Sequence, residues 1–348
     1  MHENPQPSKA ASAAGASTGA GKPFRRTASR TRQVIEFAAT LLAGSALMYV
    51  TLRIVDIQAV GDALRKIGYG AALLAAMMAL TQVFICAWRW QIVSRETESP
   101  LRLRDATLGY FEATFVNAFL PTLIASDGVR VLRAISSGAN AMAAFIGVVM
   151  DRLVALCGLA IAAATGVVLL PDAADNPWLL AAIVGILPAF LIGVIVLDIL
   201  SKVFSQLSKW RIVRPFLELA SYLRRLRQMP RLTLTVLTIS IVGHMACAAA
   251  FFFLGSQLGL GVSYWSMFAL SAPILVYSAV PISIGGWGIR EAVSAALFTL
   301  VGVAPASAVA LSIAFGLLMS AVGIFCGGVA LLISLKRKAV HWRRQTAQ

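Results

Sequence analysis

Long apolar runs separated by short polar connections dominate this chain. They lie at roughly 34–52, 70–88, 139–169, 178–199, 232–256 and 307–334. Each is close to or beyond the roughly 20 residues that cross a ~30 Å hydrocarbon layer as a helix. Backbone polar groups find no water inside a bilayer, so such runs must become helices that satisfy their own hydrogen bonds. An outer-membrane barrel is excluded, since it would show short alternating strands. Two further segments, 106–136 and 264–303, are apolar but interrupted. In one, Pro121 is followed after six residues by Gly128, Val129 and Arg130; in the other, Pro281 is followed after six residues by Gly288, Ile289 and Arg290. Each places a helix breaker, pliable backbone and a fixed charge where bilayer depth is expected. Matched Pro/Gly interruptions in two halves of a membrane protein are a sequence pointer to a transport site.

Charge between the runs orients them. Arg89, Arg95, Arg102 and Arg104 mark the 89–104 link as cytoplasmic, and eight basic residues do the same for the 200–231 link. The link from Pro171 to Pro177 has no basic residue and is expected outside. The tail with Lys336, Arg337, Lys338, Arg343 and Arg344 is inside again. Parity then requires 106–136 to enter and return on the inner side, and 264–303 on the outer side. The expected fold is an all-α polytopic membrane protein. About six spanning helices are joined by two broken re-entrant hairpins, in an inverted repeat of about 70–169 and 232–334. A disordered basic tail is expected at 1–33, a membrane domain at 34–336 and a basic tail at 337–348. Both termini would be cytoplasmic, in the bacterial inner membrane.

Composition agrees: 59% of residues are hydrophobic and 13% charged, far from a soluble domain. The net charge of +15 invites a nucleic-acid partner. The basic residues sit in the connections, however, so the reading is no nucleic acid and a cytoplasmic face that gathers anionic lipid. Cys86, Cys157, Cys247 and Cys326 stand singly in apolar runs, without metal-ligand spacing. No metal or cofactor is expected. Nor is there a G-x-x-x-x-G-K-[ST] loop for ATP.

The candidate substrate-binding residues are Arg130, Arg290, Asp127, Asp151, Arg152, Glu291 and Asn117. Ser126 or Asp127 can cap a helix beginning near Gly128, which puts Arg130 in a first turn. Gly285 and Gly286 supply a bend before a helix with Arg290 and Glu291 in its first turn. A helix N-terminus offers partial positive charge and unpaired N–H groups, and arginine adds a planar set of donors, so both suit phosphate. Two such tips facing each other would form a positive cradle, with Pro121, Gly128, Pro281, Gly285, Gly286 and Gly288 shaping the backbone. The alternative is that Arg130 and Arg290 pair with Asp127, Glu291 or carbonyls and merely pin the breaks. Asp151 lies ~16 Å into a helix starting at Asn140. A charge there costs roughly 3 kcal/mol, so Asp151 and Arg152 should face protein or water. Neighbours on a helix diverge by about 100° and cannot easily pair with each other, so each needs another partner among Asp127, Arg130, Arg290 and Glu291. Asn117 either lines the path or makes a helix–helix hydrogen bond. Glu112 and Asp198 are expected near the inner face, His244 as a packing residue, and Trp88, Trp90, Trp178, Trp210 and Trp342 at interfaces.

The run from Phe115 to Pro121, then Ser126-Asp127-Gly128 with Arg130, then Asp151-Arg152-Leu153, and far downstream Pro281 to Glu291, resembles the flippase-like transmembrane domain of lysylphosphatidylglycerol synthases. The resemblance covers about 34–336. Ala125-Ser126 stands where two glycines are common in that family. In two-domain members a soluble domain makes an aminoacylated lipid and the membrane part moves it between leaflets. With the sequence ending at Gln348, only the translocating half is implied, not lysyl transfer. The expectation is therefore a lipid translocase, not an enzyme, for an anionic or phosphate-bearing lipid, beside a separate lipid-synthesising enzyme. The rival is a lipid-binding scaffold for such an enzyme.

Overall fold

The computed structural model describes residues 49–50, 53, 57–119, 123–169, 181, 185–203, 214–278 and 286–346. All of the elements there are helices. They are α1 (Ile57–Arg65), α2 (Tyr69–Glu96), α3 (Leu103–Phe119), α4 (Leu123–Ser136), α5 (Ala141–Leu169) and α6 (Ile186–Val203), then α7 (Arg214–Gln228), α8 (Pro230–Gln257), α9 (Tyr264–Ser278), α10 (Ile289–Thr299) and α11 (Pro305–Thr346). Four stretches, Tyr69–Glu96, Ala141–Thr165, Pro230–Gln257 and Pro305–Lys336, are long and apolar enough to cross a membrane. The run at 34–48, the 171–177 link and the residues Pro121, Pro281 and Gly285 lie outside the described residues.

Among the described helices, α2 and α8 share the most extensive interface. Around them the packing has a regular plan. α3 packs on α2 and α4, as α9 packs on α8 and α10. Each short-helix unit also reaches across: α3 lies along α11, and α9 lies along α5. Small residues permit close approach of α11 to α3 and of α5 to α8. A Cβ on Gly327 of α11 would stand 2.5 Å from the Phe115 ring of α3, and one on Gly158 of α5 would stand 2.4 Å from Ser240 Cβ of α8. The main apolar core gathers Phe251, Leu270, Ile274, Phe298 and Leu311 from α8 to α11, with Phe251 stacked on Phe315 at 3.8 Å. Leu73, Met77 and Phe84 on α2, and Leu317, Ile324 and Leu331 on α11, point outward. An apolar exterior of this extent suits a hydrocarbon solvent rather than water.

Three boundaries differ from expectation. α2 does not stop near residue 88 but runs to Glu96, so Arg89 and Trp90 belong to the helix and are buried, at 3% and 1% exposure. Trp90 is therefore no interfacial anchor, whereas Trp88, half exposed, faces outward. α4 is already helical at Leu123, the first described residue after 119, and Gly128 falls inside it. Asp127 thus cannot cap a helix starting at Gly128, and Arg130 is in the third turn rather than the first. The 200–231 link is not all loop, since α7 occupies half of it. Its Arg224 reaches back to Asp198 at 3.0 Å, and Lys202 adds a second contact to Asp198 at 2.9 Å.

Candidate functional site

Helical spacing assembles the main charged cluster. On α2, Gln82, Cys86 and Arg89 stand at i, i+4 and i+7 and so share one face. On α3, Tyr110, Thr114 and Asn117 repeat that spacing. These faces, with Asp127 and Arg130 of α4, Asp151 and Arg152 of α5 and His244 of α8, line a cavity of about 280 Å³.

Asp151 is the hub. It is fully buried and receives Arg89 Nε at 2.8 Å, Arg130 Nη2 at 2.5 Å and the Tyr110 hydroxyl at 2.7 Å. Arg89 also donates from Nη1 to Ser240 Oγ at 2.9 Å, which ties α2 to α8. A carboxylate stripped of water is tolerable only when fully paired, and three donors on two oxygens achieve that. Arg130 is packed against two aromatic rings as well. Its guanidinium carbon lies 4.5 Å from the Trp90 ring centre and 4.3 Å from that of Tyr110. Such a cation–π pair is worth about 2 kcal/mol when desolvated. The two rings stand edge to face, 5.8 Å apart, and border the guanidinium on adjacent sides.

Arg152, turned away from Asp151 by the helix, donates to Asp127 Oδ2 at 2.7 Å. Asp127 is also 3.5 Å from Arg130 Nη1. Five charged groups on three helices therefore form one connected chain, with three arginines against two aspartates. Among the described residues, the cluster carries one more positive than negative charge beside the cavity. Asn117 lines it too. His244 donates from Nε2 to the Ala155 carbonyl at 3.2 Å, a packing contact, but it also borders the cavity. Glu112 pairs with Arg133 across α3 and α4.

Arg290 and Glu291 are built differently. Gly288 precedes α10 with φ 88°, a conformation glycine adopts without strain, and its N–H donates to Glu291 Oε2 at 2.6 Å. Arg290 sits in the first turn, as expected. Its Nη2 donates to Glu291 Oε1 at 2.8 Å and its Nε to Ser312 Oγ at 3.0 Å, while Ser312 donates to the same carboxylate at 2.9 Å. The Trp287 ring covers the guanidinium at 4.8 Å. Both charges are buried, at 5% and 0% exposure. Neither is among the residues lining the cavity. Arg130 and Arg290 therefore do not meet in one cradle among the described residues.

Of the sequence candidates, Arg130, Asp127, Asp151, Arg152 and Asn117 come together, and Arg290 and Glu291 form a second cluster. Arg89, Trp90 and Tyr110 were missed. The signal that could have found Arg89 is the polar stripe Gln82, Cys86, Arg89 in an otherwise apolar helix. The four cysteines are free thiols. Among the described residues, no cluster of histidine, cysteine, aspartate and glutamate is placed to hold a metal.

A family model described as the lysylphosphatidylglycerol synthase TM region matches residues 36–327. No curated protein matches the chain.

Proposed function

The chain belongs to the lysylphosphatidylglycerol synthase transmembrane-region family, and on that premise we propose that it translocates an anionic or phosphate-bearing lipid between membrane leaflets. The observation that carries this reading is the cavity of about 280 Å³ walled by three arginines and two aspartates in the midst of apolar helices. Charged residues at such depth are costly, and their usual use is to line a substrate or ion path. An excess positive charge and planar guanidinium donors select a phosphate headgroup. The acyl chains would remain against the apolar outer faces of α2 and α11.

The paired packing of α3 on α11 and α9 on α5 supports an inverted repeat in which α3–α4 and α9–α10 are re-entrant hairpins of opposite sense. In this reading the protein lies in the inner membrane with both termini cytoplasmic. It has no enzymatic activity of its own and works beside a separate lipid-synthesising enzyme. A second reading, a non-transporting lipid-binding scaffold, draws support from the closed Arg290–Glu291 cluster.

Reconstitution tests the two. Vesicles containing the full chain and a panel of fluorescent lipids should expose anionic lipids to membrane-impermeant quencher faster than protein-free vesicles. Arg130→Ala should abolish the difference. Equal rates with and without protein for every phosphate-bearing lipid would reject translocation.

A further inference from the structure

The charged groups around the cavity are not equally committed. Asp151 is saturated, with three donors at 2.5–2.8 Å and a side chain 1% exposed. Asp127 is not. Its side chain is 28% exposed; it holds Arg152 at 2.7 Å and reaches Arg130 only at 3.5 Å. Arg152 is itself 33% exposed.

The donors facing Asp127 are correspondingly underused. Arg130 is 4% exposed, bonded to Asp151 and packed against the edge-to-face pair of Trp90 and Tyr110, which holds its guanidinium in place. Its Nη1 has only the long contact to Asp127, and its Nε is buried without a hydrogen-bond partner. A carboxylate thus sits between two arginines at the cavity wall, with one tight and one loose contact. A phosphate oxygen would seek the same donors.

We propose that Asp127 is an internal counter-ion, held on Arg152 and Arg130 until a phosphate group displaces it. This rests on the reading of the cavity as a phosphate-headgroup site and adds how that site is kept closed and released. An arginine pair left bare in a low-dielectric wall is strongly destabilising, so an exchange of one anion for another keeps both states tolerable. Competition also weakens ligand binding. A translocation site needs that, since a ligand bound too firmly does not leave. Asp151, by contrast, stays in place in both states.

The test is a calorimetric titration of the detergent-solubilised full chain with dioctanoyl phosphatidylglycerol, with inorganic phosphate and with uncharged dioctanoyl glycerol. Asp127→Asn keeps the side-chain size but no longer neutralises Arg152. We expect roughly tenfold tighter binding of the phosphatidylglycerol, about the loss of one charge-assisted competitor. Asp127→Ser should tighten it as well, and the uncharged lipid should gain nothing. Tightening toward the lipid alone assigns the displaced place to a lipid headgroup; tightening toward inorganic phosphate too assigns it to the phosphate itself. Either supports displacement.

Unchanged or weaker phosphatidylglycerol binding by folded Asp127 variants, with the parent still binding, overturns the counter-ion role and leaves the phosphate reading standing. Absence of saturable binding by the parent and every variant overturns both. Difference infrared spectroscopy of the parent labelled with carbon-13 aspartate guards against misfolded variants. An aspartate carboxylate band should shift when phosphatidylglycerol binds, and a static band refutes displacement.

Discussion

The two clusters start from the same sequence pattern and end as different machines. Around Arg130 the partner carboxylate, Asp151, comes from another helix, and Arg89, Tyr110 and Trp90 arrive from two more. Around Arg290 the partner is the next residue in the chain, and a single serine of α11 completes the set. The first arrangement ties four helices together, and it borders a cavity. The second is local and closed, hydrogen-bonded to α11 alone among the other described helices. A repeated motif therefore marks equivalent positions without guaranteeing equivalent chemistry. What decides the outcome is where the opposing charge is encoded.

The strongest test of this contrast is removal of each hub. Asp151→Ala leaves Arg89 and Arg130 buried without a counter-charge and should cost about 3–5 kcal/mol. The measurement is thermal unfolding of the purified chain in detergent. Glu291→Gln should cost less, about 3 kcal/mol, because one buried arginine rather than two loses its counter-charge and the amide oxygen can still accept from the Gly288 N–H. Equal losses would mean that the first cluster gains nothing from its distributed design.

Tyr110→Phe sharpens the same comparison. It removes one of three donors on Asp151 but keeps the ring beneath Arg130, so about 1.5–3 kcal/mol should be lost. A loss below that range would show that the two arginines alone satisfy Asp151.

Gly316→Ala probes the second cluster from outside. The added Cβ would lie 2.1 Å from Arg290 Nη2, forcing the guanidinium off Glu291. Losing that bond costs about 1.5–3 kcal/mol and the better helix propensity returns about 1, so a net loss of about 1 kcal/mol is expected by the same melting assay. The smallest effect belongs to Gly128→Ala. Nothing lies within 4 Å of a Cβ there and the residue is inside α4, so the change should stabilise by about 0.5–1 kcal/mol. Destabilisation would instead indicate that α4 begins near Gly128, as its sequence first suggested.

Periodicity alone revealed the long helices, because roughly 20 apolar residues in a row admit few other readings. α2, α5, α8 and α11 begin within two residues of the expected starts. Charge was less legible. Asp151 and Arg152 could be seen to need different partners, since adjacent residues diverge on a helix, and Asp127 and Arg130 were already among the candidates. Arg89 was misread because it stands beside Arg95, Arg102 and Arg104. Counting basic residues places a link on one side of the membrane but cannot say which of them has turned inward. Trp90 was lost for the same reason: an aromatic near the end of an apolar run looks interfacial until its neighbour is known to be buried. The pairing of Arg130 with Trp90 and Tyr110 depends on how three helices are rotated, which no local pattern records.

The crossing of α3 onto α11 and of α9 onto α5 also bears on how the chain is made. Synthesis delivers Arg89, Arg130 and Asp151 to the membrane before α8 has emerged with Ser240, and well before α11 can cover α3. The ion pairs of α2, α4 and α5 can form at that stage, but their cover cannot. Either half expressed alone should therefore be short-lived, whereas the two halves made together as separate chains should rescue each other.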